Sequence, residues 1–231
     1  MITGLSKAST QYLAPLLLLT ALLLSSFSFL APVVMLHNQV ALLTVTPSTS
    51  LVQGDSVDGP SIFLGLLGSC SQAHKSAPLN CTSPTLTPVY DTSVLPSSAP
   101  SLLLSPPTAS TPAFIAISLG FLVSFFVTFT LISFHHKMRK FGTVFHKPLI
   151  QRISAWVGFI GFIIGLTAFL IVRMWFGKAV QDFNSTISLQ GQQVPIPVAA
   201  TGNAFTMAWV AFAFYAIPVI ISLTKFNVTS Q

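Results

Sequence analysis

The chain has 231 residues, 52% of them hydrophobic and only 6% charged, with a formal net charge of +6. That balance leaves too little polar surface for a soluble domain and places the chain among membrane proteins. The positive charge calls for no nucleic-acid partner, because it gathers in one short stretch with no zinc-finger or other nucleic-acid-binding context around it.

Four apolar runs divide the chain, Leu13–Leu36, Ala113–Phe134, Ala155–Phe176 and Ala204–Leu223, each 20 to 24 residues long. At about 1.5 Å per residue, each run covers the roughly 30 Å of a bilayer's hydrocarbon as a helix. None alternates in the manner of a β-barrel strand. The expected fold class is an all-α membrane protein, a four-transmembrane-helix bundle with a small disulfide-pinned extracellular β-sheet. The first run follows Lys7 and is longer than the central region of a signal peptide, so it is expected to be retained.

Charge placement sets the expected orientation. The stretch "HHKMRKFGTVFHKPLIQR" carries Lys137, Arg139, Lys140, Lys147 and Arg152 without an acidic residue, which by the positive-inside rule makes it cytoplasmic. Both termini, with Lys7 and Lys225, then lie in the cytoplasm, and Asp55, Asp58, Asp91 and Asp182 all fall outside. The predicted layout is a cytoplasmic N-terminus over 1–12, helices over 13–36, 112–134, 154–176 and 204–223, and a basic cytoplasmic loop over 135–153. Extracellular loops cover 37–111 and 177–203, and a cytoplasmic C-terminus covers 224–231.

Within the first outer loop, "VALLTVT" and "SIFLGLLG" are short apolar runs bounded by Gly54, Asp58, Gly59 and Pro60, the pattern of a small antiparallel sheet. "LPSSAPSLLLSPPTASTP" reads as an extended stalk suited to O-glycosylation. Cys70 and Cys81 are the only two cysteines. In an oxidising compartment a disulfide between them is the default; a free or intermolecular thiol pair, or half of a metal site with His74, are the alternatives. Two outward sequons, at Asn80 and Asn184, are candidates for N-glycosylation, and a third at Asn227 falls on the cytoplasmic side.

Inside the runs the only ionisable side chain is Arg173, near the end of the third and beside Trp175, where its head can snorkel to the interface. No hydrolase, metalloprotease or phosphate-binding motif occurs, so no catalytic residue, cofactor or metal is expected. Gly158, Gly161, Gly165 and Ala168 recur on one face of the third run, and Gly120, Ser124 and Thr128 on the second. Such small residues let helices approach closely. His37 and His74 are isolated outward histidines without an evident acidic partner, a weak basis for pH sensing.

The arrangement Gly65, Leu66, Leu67, Gly68, Ser69, Cys70, followed by Cys81 in the first outer loop of a four-span chain, resembles the claudin-like superfamily. With "LLLLTALLLSSFSFLAPVV" before it, "CTSPTLTPVYDTSVLPSSAPSLL" after it and "GNAFTMAWVAFAF" opening the last run, the chain is most similar to the fungal PalI and Sur-type tetraspan family. Leu67 stands where claudins carry tryptophan, which turns the expectation away from a paracellular pore. The PalI resemblance implies a non-enzymatic plasma-membrane protein that assists ambient-pH signalling by supporting a larger multi-span sensor. The Sur resemblance implies an organiser of cortical membrane domains and cell wall, and a similarity to Fig-type proteins implies a regulator of ion influx in mating. The expected partners are the lipid bilayer and another multi-span membrane protein or a second copy.

Overall fold

A computed structural model of the chain describes residues 12–49, 57–96, 99–100, 107–135, 147–190 and 195–229, with side chains through Thr224. Lys7, Asp55, most of the basic stretch, part of the Ser/Pro-rich stalk and the Asn227 side chain therefore lie outside the described residues. Among the described residues are four helices: α1 (Ala14–Leu30), α2 (Ser110–Ser133), α3 (Pro148–Gln190) and α4 (Ala204–Thr229). Three of them, α2, α3 and α4, are long and apolar enough to cross a membrane, whereas α1 is shorter at 17 residues.

Several helix limits differ from expectation: α3 begins at Pro148 rather than at 154 and α4 runs to Thr229 rather than to 223, and two further differences have a visible cause. The first run was expected to stay helical to Leu36, yet α1 stops at Leu30. Pro32 cannot donate to the helix ladder and pushes Ala31 away from helical geometry. The third run was expected to end at Phe176 and open into a loop, yet α3 continues to Gln190, 43 residues in all. Buried Val172, Phe176, Ala179, Phe183 and Ile187 keep the three-and-four spacing of a helix face, and Lys178 pairs with Asp182 one turn on at 2.9 Å. At about 1.5 Å per residue α3 is roughly 65 Å long, about twice the roughly 30 Å of a bilayer's hydrocarbon. Pro148 opens α3 at a position where its missing N–H costs no hydrogen bond.

The chain divides into two compact units. The helical unit comprises residues 1–26, 114–167 and 208–231, and the sheet unit comprises 27–113 and 168–207.

In the helical unit, glycine leaves the backbone of α3 uncovered and side chains of α2 and α4 occupy that face. A Cβ on Gly158 would strike the Phe125 ring at 2.7 Å, one on Gly161 would strike Phe121 at 2.6 Å, and one on Gly165 would run into Ser118. The exposed carbonyls are used as acceptors: Ser118 Oγ donates to Gly161 O and Tyr215 Oη to Gly158 O, each at 2.8 Å. Thr128 and Ser154 hydroxyls meet at 2.8 Å. Phe125, Phe162, Phe212 and Tyr215 pack as tilted and edge-on rings around this seam. Gly120 differs from the other three: it is exposed and a Cβ there would meet nothing.

The sheet unit holds five antiparallel strands in the order β4-β3-β2-β1-β5: β1 (Leu43–Ser48), β2 (Ser61–Leu64), β3 (Ser69–Gln72), β4 (Asn80–Cys81) and β5 (Ile196–Thr201). Alternation sends Leu43, Val45, Ile62, Leu64 and Ala199 to a buried face, while Thr44, Phe63 and Ala200 are half-buried on the other. The expected strands "VALLTVT" and "SIFLGLLG" are present in shifted form, and β3, β4 and β5 add to them. β5 comes from the segment expected to be the second outer loop.

Pro47 faces Pro197 in the β1–β5 register, and β1 pairs with β2 only as far as Val45. The missing N–H of Pro47 therefore falls where no ladder partner waits. Two residues along, Ala199 turns its backbone away from β1 and into the side-chain amide of Asn184 on α3. Asn184 Nδ2 donates to Ala199 O at 2.8 Å and Ala199 N–H donates to Asn184 Oδ1 at 2.9 Å. The amide thus stands in for the next strand at this sheet edge.

Candidate functional site

The cysteine motif forms the centre of the sheet unit. Gly65 to Gly68 turn the chain from β2 into β3, closed by Gly65 N–H donating to Gly68 O at 2.9 Å. A Cβ on Gly65 would collide with the carbonyl of Ala31 and the ring of Pro32, so this position takes no side chain. Gly68 has φ +157 and would place a Cβ against Thr82 Oγ1. Leu66 and Leu67, at the tip, are buried. The G-apolar-apolar-G pattern is therefore a hairpin whose glycines permit close approach and whose leucines anchor the tip.

Cys70 and Cys81 face one another across β3 and β4 and are joined, the pairing expected from the sequence. Their separation is 11 residues, and closing a loop of that size stabilises the fold by about 3 kcal/mol through loop-closure entropy. Cys70 is buried and Cys81 exposed. His37, distant in sequence, reaches the pair: its Nδ1 lies 3.7 Å from Cys81 Sγ and 2.6 Å from Pro32 O. His37, Cys70 and Cys81 offer three ligand atoms within 4.8 Å of one another. The sulfurs are bonded to each other and so provide no thiolate, the form that binds metal. His74, the histidine nearest the cysteines in sequence, is not in this group.

The segment after β4 is tied down rather than free-standing. Thr82 N–H donates to Ser69 O at 2.9 Å, Thr85 N–H to Leu67 O at 3.0 Å, and Tyr90 Oη to Gly65 O at 2.7 Å. Burial pushes the Tyr90 phenol well above its ordinary pKa. Asp91 N–H donates to Ser69 Oγ at 2.8 Å, and the carboxylate accepts from Ser71 Oγ and Ser93 N–H, each at 3.0 Å. Hydrogen bonds from the Ser93 side chain and backbone hold the Asp91 pKa below its usual 3.8 against slight burial, with Ser71 adding to the effect.

The sequons at Asn80 and Asn184 differ in setting. Asn80 is exposed on edge strand β4, although Thr82 of the same sequon is engaged with Ser69. Asn184 lies on α3, its amide nitrogen committed to Ala199. Sequence reasoning reserved no structural role for it, since a sequon says nothing of a strand arriving from residues further along.

A polar cleft of about 280 Å³ lies on the half-buried sheet face, lined by Asn38, Gln39, Ala41, Thr44, Phe63, Thr201, Gly202 and Asn203. These residues were not singled out in the sequence. The one local signal was Gly202-Asn203 at the start of the last apolar run, a helix-entry pattern.

No protein-family model and no curated protein matches this chain.

Proposed function

We propose that the protein is a non-enzymatic plasma-membrane tetraspan accessory, assisting ambient-pH signalling in the PalI manner by supporting a larger membrane sensor. In this reading α1, about 26 Å long, is the first of four spans, both termini are cytoplasmic, and the disulfide-pinned sheet faces outward.

The observation that carries the reading is how the apolar helices use their polar groups. Among the described residues of the four apolar runs, the only charged side chain is Arg173, whose guanidinium lies 5.2 Å from the centre of the Phe205 ring. The hydroxyls of Ser118 and Tyr215 go to glycine carbonyls of α3. Large apolar side chains such as Leu16, Phe114, Ile160 and Ile220 remain exposed, as lateral contact with lipid or another membrane protein requires. A proton relay or transport path would need a connected line of polar groups left over, and among the described residues Thr130 Oγ1 alone is buried without a partner.

Proximity labelling from the intact protein in cells, at neutral and at alkaline pH, tests the proposal. Recovery of a multi-span sensor is expected. Recovery of cortical scaffold proteins instead would move the assignment to a Sur-like organiser, and conductance by the purified protein in vesicles would move it to ion influx. Labelling of no other membrane protein would overturn all three.

A further inference from the structure

We propose that the cleft lined by Asn38, Gln39, Thr44, Phe63, Thr201 and Asn203 binds a neutral polyhydroxylated ligand, one sugar ring of a glycan.

The walls of the cleft are preformed by contacts between distant parts of the chain. Asn203 Nδ2 donates to Gln39 O at 2.7 Å and its Oδ1 accepts from Ala41 N–H at 3.4 Å. Gly202 N–H donates to Leu42 O at 2.8 Å and Ala204 N–H to Ala41 O at 3.1 Å. A Cβ on Gly202 would collide with the Ala41 carbonyl, so the two walls meet only because this residue is glycine. A cleft fixed in this way loses little ordering entropy on binding.

Its lining selects the ligand class. Carboxamides and hydroxyls offer both donors and acceptors, and no lining residue carries a charge. A charged ligand would lose hydration without gaining a counter-ion. An apolar ligand would strand the amides. Among the described residues, the side chains of Asn38, Gln39 and Thr201 have no partner within the chain. The half-buried ring of Phe63, opposite Thr44 in the sheet, supplies a flat apolar wall for the C–H face of a sugar. At about 280 Å³ the space suits one ring of a longer chain rather than a large ligand.

The inference depends on the outward-facing reading only for where a glycan would be met; binding by purified protein does not depend on it. Saturation-transfer NMR on the full chain in nanodiscs, with tetrasaccharides of glucose, mannose and N-acetylglucosamine and with tetraglycine, is the test. At least one tetrasaccharide should receive saturation at its ring C–H protons, with Kd on the order of 1 mM. Phe63→Ala should raise that Kd about tenfold or more. The pair Asn38→Ala and Gln39→Ala, both at exposed positions, should do the same with the fold intact, as judged by unchanged hydrogen-exchange protection of β1, β2 and β5. No transfer to any of the three sugars, equal binding of tetraglycine, or undiminished binding by the Asn38/Gln39 variant would overturn it.

Discussion

In the helical unit, Ser118 and Tyr215 send their hydroxyls to carbonyls exposed by Gly161 and Gly158, modest contacts between uncharged groups. In the sheet unit, a disulfide, the Asn184 amide on a strand edge and the Asp91 carboxylate join segments through individually strong, directional links. The difference fits the apolarity of each unit. Between lipid-facing helices, burying apolar surface yields little, because lipid is as apolar as leucine, so stability comes from close approach and many small contacts. A sheet with strands of two to six residues has too little core to stand on burial alone, and covalent and charge-assisted links make up the difference.

The contrast is testable by removing ties one at a time. Replacing Cys70 and Cys81 together by serine should cost the sheet unit about 3 kcal/mol. Hydrogen exchange should then quicken across β2, β3 and β4 while α2 and the first half of α3 stay protected; equal loosening of both units would break the contrast. Next, Asn184→Ala leaves the N–H and carbonyl of buried Ala199 without their partner and should cost about 1–3 kcal/mol, read as faster exchange at Ala199. The same engagement predicts that Asn184 carries no glycan, which the mass of the tryptic peptide checks.

Smaller effects sharpen the comparison. Tyr215→Phe keeps the ring packing and loses one hydroxyl, so a drop of only about 0.6 kcal/mol is expected in detergent or bicelle unfolding. A loss as large as that of the disulfide would mean that the helical unit also depends on a single tie. Acid should act on the sheet unit alone. Because the folded pKa of Asp91 lies below 3.8, its contribution is fully present above that value and is lost as pH falls through the lower folded value. Asp91→Asn should remove this acid dependence, read as exchange at Ser69 and Asp91 as pH falls below 3.8.

Much of this architecture was legible from local properties. Length and apolarity located the three long helices, because crossing about 30 Å of hydrocarbon demands a continuous run whatever its neighbours are. Two cysteines with no competitors pointed to one disulfide. α4 starts at Ala204, where the fourth apolar run was expected to begin. The extension of α3 to Gln190 was visible in principle, in the spacing of Phe176, Ala179, Phe183 and Ile187, but the polar residues between them obscured it.

The rest depended on residues brought together from far apart in the chain. β5 is a strand because β1, about 150 residues earlier, offers it a ladder, and Asn184 is a structural peg because Ala199 arrives beside it. His37 neighbours the disulfide, and Asn203 closes the cleft on Gln39, for the same reason. Apolar run length records the solvent a segment must live in, and each segment carries that information within itself. Strand pairing, hydrogen-bond satisfaction and the shape of a cleft are properties of pairs of segments, and they come into being only when folding sets those segments side by side.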